Sequence, residues 1–302
     1  MSSVFDIAVA GGGIAGLTAG LKTAQLGRKT LVLTGHQLGG NLLSIEKIDG
    51  HPDYPDGIAG YELLPTIQAQ AAEAGVEFAA TELARLDGAP RGWKLTTGDG
   101  EFAAKAVILA TGAALKALDI PGEVALKGRG VSHCASCDAP LLRGKVVVVV
   151  GGGDSALQES LTLTEAVARV IIVQDVEELT AQQTYVDRVT QNPKIEVRFG
   201  TTVNEIVGDT RVTGVRLTNG EAIACDGVFV YIGLAPNTAY LNGKLALDPA
   251  GRIPTDSAMA TEQPGLFAAG LVRAGSLGRA AVSGAEATAA AEAADRWLKN
   301  GG

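Results

Sequence analysis

Short apolar runs alternate along the chain with segments that carry a single apolar face, and glycine clusters separate them. Ile7–Ala10 is an unbroken apolar run, as a parallel strand buried on both faces requires. It leads into Gly11-Gly12-Gly13-Ile14-Ala15-Gly16, a helix-like segment to Gly27 and a second run, Thr30–Leu33. The plan recurs at Lys145–Val150, followed by Gly151-Gly152-Gly153-Asp154-Ser155-Ala156, a helix to about Glu165 and a run at Val170–Val173. Strand, glycine turn, helix, strand is the unit that sets a helix N-terminus against a dinucleotide pyrophosphate. Gly11 permits the turn, Gly13 lets the backbone approach phosphate, and Gly16 lets helix and strand pack closely. Gly151, Gly153 and Ala156 occupy the same three places.

Two such units predict an α/β chain with two Rossmann-like domains rather than one doubly wound sheet. Arg252–Gly270, ending in Gly265-Leu266-Phe267-Ala268-Ala269-Gly270, reads as a further strand and turn, followed by an alanine-rich helix from about Ser283 to Leu298. Its composition matches the first half of the chain. The first domain is therefore expected to be discontinuous, 1–117 and 246–302, with the second, 118–245, inserted into it.

Composition narrows the chemistry. The 302 residues, 46% hydrophobic, are enough for a large core. Twenty-five basic against thirty-three acidic residues leave a net charge of −8, which argues against nucleic acid as a partner. Val146–Val150 and Val170–Val173 are too short to span a bilayer, so no membrane partner is expected. Met1–Asp6 carries no basic leader and no small-residue cleavage pattern, which predicts a cytoplasmic location.

Two of the three cysteines form the C-x-x-C of Ser132-His133-Cys134-Ala135-Ser136-Cys137-Asp138, and no second pair completes a zinc ribbon. No metal is expected. The spacing lets both sulfurs meet in one turn and close a disulfide, with Cys137 expected near a helix start, where a thiolate is stabilised. A structural pair, or half of a shared metal site, is the alternative. Cys225, inside the apolar segment Ala224–Gly233, reads as an inert buried thiol.

In order and spacing these motifs resemble the flavin-dependent low-molecular-weight thioredoxin reductases over nearly the whole chain. The likeness rests on the opening glycine motif, Gly39-Gly40, Leu109-Ala110-Thr111-Gly112, the C-x-x-C-D and Gly151–Ala156. Gly227–Gly233 with Pro236-Asn237-Thr238, and Gly265–Gly270, complete it. The resemblance implies a homodimer, FAD in the discontinuous domain and a pyridine nucleotide in the inserted one. It assigns FAD contacts to Gly11, Gly13, Ile14, Ala15, Gly16, Thr34, Gly39, Gly40, Asn41, Ala110, Thr111, Gly112, Gly270, Leu271, Arg279 and Ala280. A second nucleotide site falls on Gly151, Gly153, Asp154, Ser155, Ala156 and Asp175. Cys137 is implied to face the flavin, Cys134 to attack the partner, and Asp138 to be the acid/base, with a helix cap as its alternative.

The chain also departs from that pattern. Where the family carries a His-Arg-Arg run and a further Arg for the 2′-phosphate of NADPH, it reads Gln174-Asp175-Val176 and Thr180. NADPH is therefore not expected; Asp175 leaves NADH open, and a second flavin is another occupant. The acid at the end of the first domain's second strand is Thr34, and the Asp after its Ala-Ala-Gly turn is Leu271. Arg279 stands where the family has a neutral amide, within reach of a flavin edge or on an exposed helix entrance. His51 replaces an aromatic, as a proton relay or a packing residue. Pro140-Leu141 replaces an aromatic pair that grips thioredoxin.

The leading expectation is a flavoprotein that passes electrons between FAD and Cys134/Cys137 to a thioredoxin-like protein or a small disulfide. Ferredoxin, NADH or a second flavin is the expected donor. A dithiol oxidase using oxygen, and a non-enzymatic redox-sensing nucleotide-binding module, are the alternatives.

Overall fold

A computed structural model describes residues 4–36, 38–89 and 92–302. Met1–Ser3, part of the segment read for a leader, lie outside the described residues. Two compact units appear: Met1–Ala114 with Ala235–Gly302, and Leu115–Leu234.

The first unit opens with β1 (Val4–Ala10), α1 (Ile14–Gln25), β2 (Thr30–Leu33), α2 (Gly60–Glu73) and β3 (Glu77–Ala79). An antiparallel ribbon follows, β4 (Leu83–Ala89) and β5 (Gly92–Thr97), and then the long β6 (Gly100–Leu109). The sheet order is β3-β2-β1-β6-β5-β4. Buried Ile7, Ala8, Val9 and Ala10 sit at its centre, flanked in parallel register by β2 and β6. The apolar run is continuous because both faces of this strand are covered.

After β7 (Ala113–Leu115) the second unit begins with β8 (Val131–Ser132), the short α3 (Ala135–Asp138), β9 (Val146–Val150) and α4 (Asp154–Leu163). It continues through β10 (Arg169–Val173), α5 (Gln183–Thr190) and β11 (Ile195–Arg198). The meander β12 (Val203–Val207), β13 (Gly214–Leu217) and β14 (Ala222–Ala224) precedes β15 (Gly227–Val230). Five strands form a parallel sheet, β11-β10-β9-β15-β8, and the meander forms its own antiparallel sheet. From β16 (Leu234–Pro236) the chain re-enters the first unit, where β17 (Leu266–Ala268) adds to β6 in parallel and α6 (Ala280–Lys299) closes the fold.

The return comes at 234/235, not at the expected 245/246. Tyr240, Leu241 and Leu245 pack into the first unit's core with Leu86 and Leu95. Asn237 adds polar ties: Nδ2 donates to Thr111 O at 2.9 Å, and its amide donates to Gly112 O at 3.0 Å. Within the stretch from Arg252 to Gly270, the extended ladder strand is confined to Leu266–Ala268. α6 starts at Ala280 rather than Ser283, with Arg279 as its cap residue. Its buried stripe includes Ala287, Ala290, Ala291 and Ala294, small enough for close packing on α1. Among the described residues no helix is long and apolar enough to cross a membrane.

Candidate active site

Cys134 and Cys137 are joined as a disulfide, with their Cα atoms 5.4 Å apart. β8 delivers the chain to this turn, and Ser132 Oγ accepts the Cys134 N–H at 3.0 Å. Cys134, not Cys137, occupies the cap position of α3; its Sγ accepts the Cys137 N–H at 3.3 Å. Cys137 lies near the helix start, as expected: it is the third residue of α3, and its amide serves the other sulfur. Cys137 is exposed and Cys134 half-buried. Asp138 makes no side-chain capping hydrogen bond to the turn that follows it.

Burial, with the nearby Lys127 charge, holds the His133 imidazole below its ordinary range. Burial pushes the Tyr231 phenol up, and the Glu159 and Asp138 carboxylates add to that shift. Cys225 is buried and its thiol is pushed up to about 12 by burial first and Asp226 second, so it carries no thiolate at neutral pH.

The first glycine turn is an open cradle. Gly11 has φ +126, and a Cβ there would lie 2.1 Å from Ala110 O. A Cβ on Gly16 would lie 1.8 Å from Gly11 O, so α1 touches the turn through backbone alone. A Cβ on Gly13 would meet nothing closer than Gly39 O at 3.8 Å, and one on Gly112 would meet nothing within 4 Å. No side chain caps α1, and its first turn holds no acid. The Ile14 and Ala15 end therefore presents positive potential to an anion.

Around this cradle Gly39 N donates to Gly12 O at 2.9 Å, and Asn41 Nδ2 to Ala113 O at 2.8 Å. Two expected contact groups are engaged internally. The Thr34 hydroxyl donates within the protein, with Gly35 O at 3.0 Å and Ala79 O at 3.3 Å. The Gly270 amide donates to Glu286 Oε2 at 2.8 Å, and Glu286 Oε1 pairs with Arg273 at 2.7 Å. Gly270 positions the turn against Ala15 rather than offering its N–H outward.

The second turn has the same backbone but a different mouth. Gly151 has φ +120, and a Cβ there would lie 2.2 Å from Tyr231 O. Asp154 stands in the first turn of α4 and accepts from Gln182 N at 2.6 Å and Gln182 Nε2 at 2.9 Å. Thr180 N donates to Gly152 O at 2.9 Å. Gln174 is buried, with Nε2 on Glu178 O at 3.3 Å, while Asp175 and Ser155 are exposed. Ala156 is fully buried.

Comparison with known proteins decides the family. The profile of the pyridine nucleotide-disulphide oxidoreductases matches residues 5–292. This chain belongs to that family. A thioredoxin reductase of Treponema pallidum is 38% identical over 303 aligned positions, covering 99% of this chain and 98% of its own. The structure of Lactococcus lactis thioredoxin reductase matches with a TM-score of 0.93 at 34% identity, covering 98% of this chain and 99% of that one. A ferredoxin-flavin thioredoxin reductase of Clostridium acetobutylicum is more distant, with 25% identity and a TM-score of 0.55, covering 99% of this chain and 98% of that one.

The protein is therefore an FAD-dependent disulfide oxidoreductase of the thioredoxin reductase type, and the first cradle fits its cofactor: an open Gly13, an uncapped helix and an open Gly112 leave room for a pyrophosphate. Leu271 is half-buried, Arg279 exposed and Ala280 buried at the entrance to α6. His51 is largely covered, its ring 5.4 Å from that of Tyr54 and its Nδ1 accepting the Asp53 N–H at 3.4 Å. Leu141 is exposed beside the redox turn. Sequence reading missed Glu159 and Glu286. Each is an acid on the buried stripe of its helix, and a charged residue in an apolar period is the signal that finds such groups.

Proposed function

We propose that this disulfide oxidoreductase reduces a thioredoxin-like protein or a small disulfide through Cys134/Cys137, as a homodimer, and takes its electrons from a donor other than NADPH. The observation that carries the donor reading is the mouth of the second glycine turn. Asp154 stands at the head of α4, Asp175 is exposed after β10, and Gln174 through Asp187 include no Lys or Arg. An additional phosphate dianion meets carboxylates there and finds no counter-charge. NADH, a second flavin or reduced ferredoxin avoids that penalty.

FAD, when bound, supplies two-electron exchange with a dithiol. The residues that hold it are the turn Gly11, Gly13 and Gly16 with the Ile14 and Ala15 amides, then Gly39, Gly40, Asn41, Ala110, Thr111 and Gly112. Leu271, Arg279 and Ala280 border it. Once the pair is reduced, the Cys134 thiolate attacks an external disulfide and Cys137 resolves the mixed disulfide. Asp138 holds the proton for the leaving thiolate.

The test is anaerobic turnover of the FAD-loaded chain with a thioredoxin or a small aromatic disulfide, using NADPH, NADH or reduced ferredoxin. Thiol release is expected with NADH or ferredoxin and not with NADPH. Fast release at micromolar NADPH overturns the donor reading. Oxygen-dependent peroxide formation from dithiols, with no disulfide reduction from any donor, overturns the reductase direction. Sedimentation of the loaded chain as a monomer overturns the dimer.

A further inference from the structure

Behind the redox turn lie a carboxylate and a phenol that belong to neither glycine cradle. Glu159 is on the buried stripe of α4 with Ala156, Leu157, Ser160 and Leu163, and only 8% of its surface is exposed. Its Oε2 accepts the Ala135 N–H at 3.2 Å, the first amide of α3. The third amide of that helix, Cys137 N, is the donor to Cys134 Sγ. Ser132 holds Cys134 from within the same loop. Glu159 reaches the turn from a separate element, so it fixes where α3 begins.

Tyr231 follows β15 and is buried. Its hydroxyl oxygen lies next to the Ala135 amide, whose hydrogen goes to Glu159.

We propose that Glu159 is a positioning residue for thiol–disulfide exchange: through Ala135 it keeps the Cys137 N–H on Cys134 Sγ, so that reductive opening of the S–S bond leaves Cys134 as the thiolate. With a dithiol reductant, two electrons and two protons leave the reductant as its own disulfide closes. One proton is taken by Cys137, the other goes to solvent, and Cys134 keeps its electron pair beside the donated N–H. The inference rests on Cys134/Cys137 being the exchanging pair.

The titratable groups around the turn are His133 and Asp138 on it, Glu159 and Asp154 on α4, Tyr185 of α5 in the same core, and Tyr231. Lys127 and Glu123 act on His133. His133 lies below its ordinary range and Tyr231 above, so burial disfavours the charged form of each.

The experiment measures the pH profile of iodoacetamide alkylation at Cys134 in the FAD-loaded chain after reduction with dithiothreitol, read by mass spectrometry. Glu159→Asp keeps the charge but shortens the reach by a methylene. It is expected to move the Cys134 profile up by about one pH unit, a tenfold loss of thiolate on the acid side of the profile. Glu159→Gln keeps an acceptor for Ala135 and lacks the charge, so its profile is expected at or below that of the wild type. Combining Glu159→Asp with Tyr231→Phe removes the phenol oxygen as a substitute acceptor and is expected to show the full shift. Faster hydrogen exchange at the Ala135 amide in the Asp than in the Gln variant checks the geometry separately. Coincident profiles for wild type and both Asp variants overturn the proposal, as does a Gln profile that rises with the Asp one. A wild-type pair that dithiothreitol does not open overturns the redox reading itself, which equal profiles do not.

Discussion

The two glycine turns share a backbone and differ in what surrounds their helix ends. Gly13 and Gly153 cap α1 and α4 with nearly the same extended geometry, φ −82° and ψ −174° against φ −88° and ψ −177°. Gly11 and Gly151 both turn with positive φ against a carbonyl of a neighbouring strand end. At the first turn the opening of α1 is free of acids, and a Cβ on Gly13 would have nothing nearer than Gly39 O at 3.8 Å. At the second, Asp154 occupies the first helical turn, and Thr180 and Gln182 fold back onto the turn and onto Asp154. A glycine signature specifies a path for the backbone. The charge placed at its mouth, from residues both near and far in sequence, decides which anion the path receives.

Restoring cations at the second mouth is the strongest way to sharpen that contrast. Asp175→Arg with Val176→Arg and Thr180→Arg supplies two or three charge-assisted phosphate contacts of roughly 1.5–3 kcal/mol each. NADPH affinity, measured by calorimetry, is expected to rise by about a thousandfold or more, with NADH changing far less. Equal gains for both nucleotides show that the 2′-phosphate is not what the missing cations serve.

The sixth residue of each motif gives the next largest effect. Gly16→Ala drives a methyl into Gly11 O and is expected to cost about 1–3 kcal/mol or more, seen as a lower Tm and loss of FAD on gel filtration. Ala156→Gly removes a buried methyl from a helix that already accommodates it, at about 1 kcal/mol, with FAD content unchanged. If both substitutions release FAD, the two turns are not the independent cradles described.

The smallest expected change is at the head of α4. Asp154→Asn removes a like charge from the end proposed to receive a pyrophosphate, worth about 0.3–1 kcal/mol, so NADH is expected to bind up to about fivefold tighter. Weaker NADH binding means that the Asp154–Gln182 contacts organise the site rather than oppose it.

Much of this was legible in the residues alone. β2 runs from Thr30 to Leu33 as the apolar run predicts, and β10 differs from its run only by Arg169. Buried parallel strands bounded by glycine leave a clear pattern because both faces exclude polar side chains. The cysteine spacing announced the disulfide for an equally local reason: two intervening residues form one turn. The return boundary was not legible. Asn237, Tyr240 and Leu245 belong to the first unit through contacts with residues more than a hundred positions earlier, which no local period records.

By itself the sequence determined the two glycine-turn units, the disulfide turn and a stretch after β10, Gln174 through Asp187, with no Lys or Arg, since each depends on neighbours along the chain. Only the tertiary structure decided which groups still face outward. The Thr34 hydroxyl bonds to Ala79 O, and the Gly270 amide to Glu286. It also showed that Cys134 receives the amide of Cys137, and that Glu159 reaches the turn from another helix. Apart from the Cys137–Cys134 bond within the turn, hydrogen bonds between separate elements settle these matters. A donor or acceptor has few partners, and the fold, not the residue type, assigns them.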